Sequence, residues 1–106
     1  MPKYLVQANY IGEGIKGLLK EGGTSRRAAT EKAIQSLGGS MEAFYFAFGE
    51  TDVFVIAEVP DNISMAAIAL TVSASGVVAV KTTVLMTPEE VDKAVKKTPS
   101  YRPPGQ

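Results

Sequence analysis

Apolar and polar positions alternate in one stretch of the chain, run together as apolar or β-branched segments in three more, and recur at helical spacing between them. Lys3 to Tyr10 is the alternating run, with Tyr4, Val6, Ala8 and Tyr10 on one side and Leu5, Gln7 and Asn9 on the other, which predicts a strand. Ile11, Ile15, Leu18 and Leu19 follow at helical intervals, but Gly12, Gly14, Gly17 and Gly22-Gly23 weaken the segment, so it reads as a short helix or an ordered loop. Thr24 or Ser25 is placed to cap a firmer helix through Leu37, with Ala28, Ala29, Ala33, Ile34 and Leu37 as its apolar side and Gly38-Gly39 as its stop.

Met41–Phe48 and Val53–Val59 are two apolar runs around the polar break Gly49-Glu50-Thr51-Asp52, the pattern of a β-hairpin, and Pro60 ends the second because it cannot donate to a ladder. Asp61 or Asn62 caps the next helix, which is apolar around most of its circumference from Ser64 to Ser75 and is therefore expected to be substantially buried. Gly76 closes it, and the β-branched run Val77 to Met86, with Lys81 in its middle, predicts the fourth strand. Thr87-Pro88-Glu89-Glu90 offers a cap, a proline at the first helical position and acids in the first turn, with Lys93, Lys96 and Lys97 toward the other end. Residues 87–106 thus read as an appended helix and a Pro-rich tail on a single domain spanning 1–106.

The order βαββαβ predicts an α+β fold of ferredoxin-like type, a four-stranded antiparallel sheet with its helices on one face. The hairpin is apolar on both sides. Simple alternation puts Phe44, Phe46 and Phe48 on one face and Met41, Ala43, Tyr45 and Ala47 on the other, and sets Phe54 and Ile56 against Val53, Val55, Ala57 and Val59. Helices of one chain cover one of those faces only. At about 25 cal/mol per Å2, leaving two Phe and an Ile in water forgoes several kcal/mol, so the uncovered face is expected to meet a second copy and form a homodimeric α+β barrel.

Eleven basic and eleven acidic side chains balance, which gives no pull toward nucleic acid or a membrane surface. The chain has neither cysteine nor histidine, which excludes disulfides, thiolate chemistry and sulfur-based zinc cages and removes the usual general base near neutral pH. Neither a cofactor nor a metal is expected, since Glu50, Asp52, Glu58 and Asp61 lack the spacing of a cation loop. Met1-Pro2-Lys3-Tyr4 leads straight into a strand without a leader pattern, and no apolar run approaches membrane-spanning length, which predicts a cytoplasmic protein.

Acid–base work then falls to carboxylates, tyrosines or lysines. Asp52 beside the hairpin turn is a candidate general base, or else a turn residue whose carboxylate accepts backbone N–H groups. Glu58, flanked by Ile56, Ala57 and Val59, is a candidate acid–base group, or the partner of Arg26 or Arg27 in an ion pair. Tyr10, Tyr45, Phe46 and Phe54, with residues of the apolar helix Ser64 to Ser75, are candidate walls of a ligand pocket between sheet and helices. Arg26 and Arg27 stand at a helix start, where they are either a solvated first turn or, since basic side chains there oppose the dipole, donors for an external anion; Arg27 is taken as a ligand-binding residue.

Tyr10 with Gly14, Arg26-Arg27, Leu37-Gly38-Gly39, Phe44-Tyr45, Gly49-Glu50-Thr51-Asp52-Val53, Glu58-Val59-Pro60-Asp61, Ala69 and Gly76, taken in this order, resemble the GYD family of small bacterial proteins. The tyrosine that the family carries between Glu50 and Asp52 is Thr51 here. The resemblance implies a dimeric α+β barrel but brings no common reaction with it. Three functions follow as expectations: a homodimer binding a small hydrophobic or amphipathic molecule; by analogy with the barrel superfamily, a cofactor-independent oxygenase or isomerase using Glu58 or Asp52; or a non-catalytic assembly module.

Overall fold

A computed structural model describes residues 1–106. Eight elements follow in order: β1 (Lys3–Tyr10), α1 (Gly14–Glu21), α2 (Gly23–Ser36), β2 (Ser40–Phe46), β3 (Val53–Glu58), α3 (Asn62–Ala74), β4 (Val78–Leu85) and α4 (Pro88–Ala94). The strands form one antiparallel sheet in the order β2-β3-β1-β4, the ferredoxin-like topology that βαββαβ predicts.

The register assigns every side chain to a face. Tyr4, Val6 and Ala8 stand opposite Ala57, Val55 and Val53 on β3 and opposite Val84, Thr82 and Val80 on β4, and this set faces α2 and α3. Leu5, Phe54, Ile56, Tyr45 and Lys81 face the other way, away from α2 and α3, with the first three half-buried and Tyr45 and Lys81 exposed. In β2 the pairing shifts between Met41 and Ala43, so Glu42 is the extra residue of a β-bulge. That shift corrects the simple alternation expected for this strand: Met41 joins Phe44 and Phe46 on the helix side, where it packs against the core, and only Ala43 and Tyr45 remain on the open side.

The core is small: Tyr4, Ile34, Val53, Val55, Ala57, Val59 and Met65 are its buried members. Tyr4 fits because its hydroxyl donates to Asn62 Oδ1 at the start of α3, so the one phenol sealed in the core keeps a partner. Gly39 lets β2 close onto β3, since a Cβ there would lie 2.5 Å from the Glu58 carbonyl oxygen.

Asp61 caps α3 by accepting the Ser64 amide at 2.8 Å, which holds its carboxyl below the ordinary carboxylate range. The expected burial of α3 is not met. One stripe, Met65, Ile68, Ala69 and Val72, faces the sheet, while Ile63 and Leu70 on the outer side are 82% and 71% exposed. The reason is geometric: a helix packed on a single sheet layer has only one side to bury, however apolar its remainder. The cap expected at Thr24 or Ser25 is also absent, because α2 starts just behind Gly22, and Ser25 instead donates to Glu21 Oε1 at 3.4 Å.

Thr87 and Glu90 close a reciprocal capping box around α4, which draws the Glu90 carboxyl below its usual range. Every residue from Met86 to Gln106 is exposed, and the molecule is elongated accordingly, 57 × 33 × 23 Å. No helix is long and apolar enough to cross a membrane.

Candidate functional site

Between the covered sheet face and helices α2 and α3 lies a cavity of about 140 Å3. Val6, Val55 and Phe44 form part of its floor, and Ile34, Met65 and Val72 part of its roof. Its walls are apolar except for Arg26, Thr30 and the Tyr10 phenol. Thr30 is already engaged, donating to the Arg26 carbonyl at 3.0 Å within its own helix. Arg26 and Tyr10 are thus the polar groups left to meet a guest.

Both of them also line a second, more open cleft of about 390 Å3, bordered by Glu13, Glu21 and Leu18 of the α1 region and by Ser75 after α3. Tyr10, Arg26, Val72 and Val78 line both spaces and so mark the mouth where the apolar cavity opens into the polar cleft. Gly14 shapes this mouth. A Cβ at that position would lie 2.2 Å from the Val77 carbonyl oxygen and 3.2 Å from the Tyr10 ring, so only glycine lets α1 sit so close to β4 and to the phenol.

Of the ligand-site residues expected by number, Tyr10 alone lines the cavity, and α3, also expected there, contributes Met65, Ile68, Ala69 and Val72. Phe46 is on the same sheet face but packs against Gly23 at the start of α2 and edge-on to Phe44, with ring centres 5.2 Å apart. Tyr45 and Phe54 face each other in register on the open side, where α2 and α3 do not reach, so a position between sheet and helices is closed to both. Arg27 points away from the sheet and pairs with Glu31 one turn on, at 3.7 Å.

The two candidate catalytic carboxylates stand at opposite ends of β3, about 20 Å apart at roughly 3.3 Å per residue, and neither lines the cavity. Asp52 Oδ2 accepts the Tyr10 amide at 2.9 Å, and the Asp52 amide donates to Asn9 Oδ1 at 2.8 Å, a reciprocal clasp that ties the hairpin to the end of β1. Thr51 accepts from Gln7 Nε2 at 3.3 Å beside that clasp. Glu58 lies across from Lys3, whose ammonium is 4.0 Å from Glu58 and 2.9 Å from Glu42, rather than beside either arginine. The hydrogen bond to Glu42, aided by both carboxylate charges, raises the Lys3 pKa above its ordinary value.

Among the lining residues that the expected ligand set lacks are Phe44 and Arg26, the latter considered with Arg27 as an anion site but passed over in favour of its neighbour. Arg26 was findable: Ala29, Thr30, Ala33 and Ile34 form the inner face of α2, and one turn back along that face falls on Arg26, whereas Arg27 falls on the row of Glu31.

The fold and site define the molecule as a ferredoxin-like α+β protein with an apolar cavity and a single charged side chain, Arg26, on its wall. Residues 4–95 match the GYD domain, and the chain belongs to the GYD domain family. Comparison with curated proteins and with solved structures finds no match.

Proposed function

We propose that the protein is a homodimer in which each subunit binds a small apolar molecule between its sheet and helices α2 and α3. The observation that carries this reading is the cavity itself: about 140 Å3 walled by aliphatic and aromatic side chains, with the carboxylates placed elsewhere. An apolar cavity engineered at about 150 Å3 stays dry and takes benzene, so this one suits a guest the size of a single ring. An acid–base enzyme built on Glu58 or Asp52 has less support, since a guest in the cavity touches neither. Toluene titrated into 15N-labelled protein is expected to shift amide signals around the cavity, and Ala69→Leu, which fills it, is expected to abolish those shifts. Shifts that persist unchanged in the filled variant overturn the assignment.

The second copy is supported by surface area. A folded monomer of 11.2 kDa exposes about 5,700 Å2 by the usual scaling with mass. This chain exposes 7525 Å2. The excess, about 1,800 Å2, exceeds the roughly 800 Å2 that each partner contributes to a standard interface. The exposed C-terminal segment, residues 86–106, accounts for part of it, and the open sheet face adds the exposed Tyr45 beside the half-buried Leu5, Phe54 and Ile56. Light scattering is expected to count two subunits for the parent and one for Phe54→Glu; a parent of one subunit overturns the dimer.

A further inference from the structure

We propose that the guest of this cavity is a monocarboxylate, its apolar body inside and its carboxylate held at the mouth by Arg26, with the Tyr10 hydroxyl as a second donor. The inference rests on the reading of the cavity as a binding site and adds the chemistry of the head group.

Arg26 is the only charged side chain on the cavity wall. Its side chain is 31% exposed, and it also borders the polar cleft, so its guanidinium stands at the boundary between apolar interior and water. Its protein partner is a loose one. Nη1 lies 3.6 Å from Glu21 Oε2, well beyond the roughly 2.7–2.9 Å of a charge-assisted hydrogen bond. Glu21 is itself divided, since it also accepts from the Ser25 hydroxyl. No side chain accepts a hydrogen bond from the guanidinium, which leaves a planar fork of donors unpaired at a residue lining both spaces, a fork that a carboxylate fills with two parallel bonds.

Three further features point the same way. The Tyr10 hydroxyl has no partner in the chain, and its residue lines both spaces. Arg26 sits in the first turn of α2, where the positive end of the helix dipole adds to its own charge. The apolar lining leaves a carboxylate no other means of compensation, so a charged head is tolerated only at this edge. The acidic rim narrows the class: Glu13 and Glu21 border the cleft, and a dianion such as a phosphate monoester meets their repulsion with one arginine to offset it. A single negative charge replaces Glu21 at the guanidinium one for one.

Benzoate and toluene share a one-ring body and differ in the head, so calorimetric titration of both separates this inference from the reading beneath it. In the parent at neutral pH, benzoate is expected to bind about ten- to a hundredfold more tightly than toluene. Arg26→Met is expected to erase that advantage and leave toluene affinity within about twofold. Glu21→Gln removes the competing carboxylate and is expected to strengthen benzoate binding without changing toluene, an effect opposite in sign to any loss of folding. If toluene binds and benzoate binds no better, or if the benzoate advantage survives Arg26→Met, the carboxylate head is overturned and the apolar site stands. Should neither probe bind, both readings fail.

Discussion

The two faces of the sheet are built from the same kinds of residue and have opposite fates. Tyr4 on the helix side is 1% exposed with its hydroxyl bonded to Asn62, while Tyr45 on the open side is 70% exposed. The covered face is lined by Val, Ala and Phe and carries no charge of its own; the open face mixes Leu5, Phe54 and Ile56 with the Lys3, Glu42 and Glu58 cluster. Alternation at period two creates two faces but does not say which one the helices take. That choice comes from the crossovers, and it moves the chemistry: the carboxylates go with the open face and the hairpin clasp, and the arginine goes with the cavity.

The contrast breaks most sharply at the two tyrosines. Tyr4→Ala is expected to cost about 3–5 kcal/mol in urea unfolding, the range for removing a buried aromatic. Tyr45→Ala, measured at concentrations that hold the subunit count at one, is expected to stay within about 0.5 kcal/mol of the parent. Equal losses at the two positions would mean that the open face is as deeply packed as the covered one.

Two glycines of α1 sharpen the same comparison on a smaller scale. Gly14→Ala drives a Cβ toward backbone at 2.2 Å and is expected to destabilise by about 1–3 kcal/mol. At Gly17 an added methyl would meet nothing within 4 Å, so Gly17→Ala is expected to stabilise by about 0.5–1 kcal/mol through helix propensity alone. A destabilising Gly17→Ala in thermal unfolding would show that α1 is held by more than its contact at the mouth.

The smallest effect is in pH. Asp61 and Glu90 have carboxyls lowered by backbone hydrogen bonds, so their contribution is present above the ordinary carboxylate pKa and is lost as pH falls through the lowered values. Lys3 is raised, so its contribution is present below the ordinary lysine value of 10.5 and is lost as pH rises through the raised one. The acid limb of stability thus reports on helix caps, and the alkaline limb on the open face. Asp61→Asn is expected to flatten the first and leave the second unchanged in a pH series of thermal midpoints.

Much of the architecture was legible because local chemistry and global fold agree. Pro60 before Asp61, Gly76 after α3 and the Thr87-Pro88-Glu89-Glu90 start of α4 mark their boundaries by mechanisms that need no tertiary context. What escaped depended on partners distant in sequence. The Glu42 bulge turns Met41 inward, and no short-range pattern announces an extra residue in an edge strand. Glu58 looked desolvated among apolar neighbours, yet its nearest ones point to the opposite face and Lys3 stands across from it. The cavity was legible only as an expectation of some pocket, because its walls come from six elements, the four strands β1 to β4 and the helices α2 and α3.

A single open sheet has two free edges, and each is a template on which another chain can add a strand and start a fibre. Here β2 is interrupted by the Glu42 bulge, and β4, an eight-residue β-branched strand that would otherwise be a flat aggregation seed, carries the exposed Lys81 near its centre. Both edges are therefore poor acceptors of a further strand. A protein guarded in this way resists open-ended strand addition, and the proposed pairing of sheet faces, unlike a pairing of edges, closes after two copies.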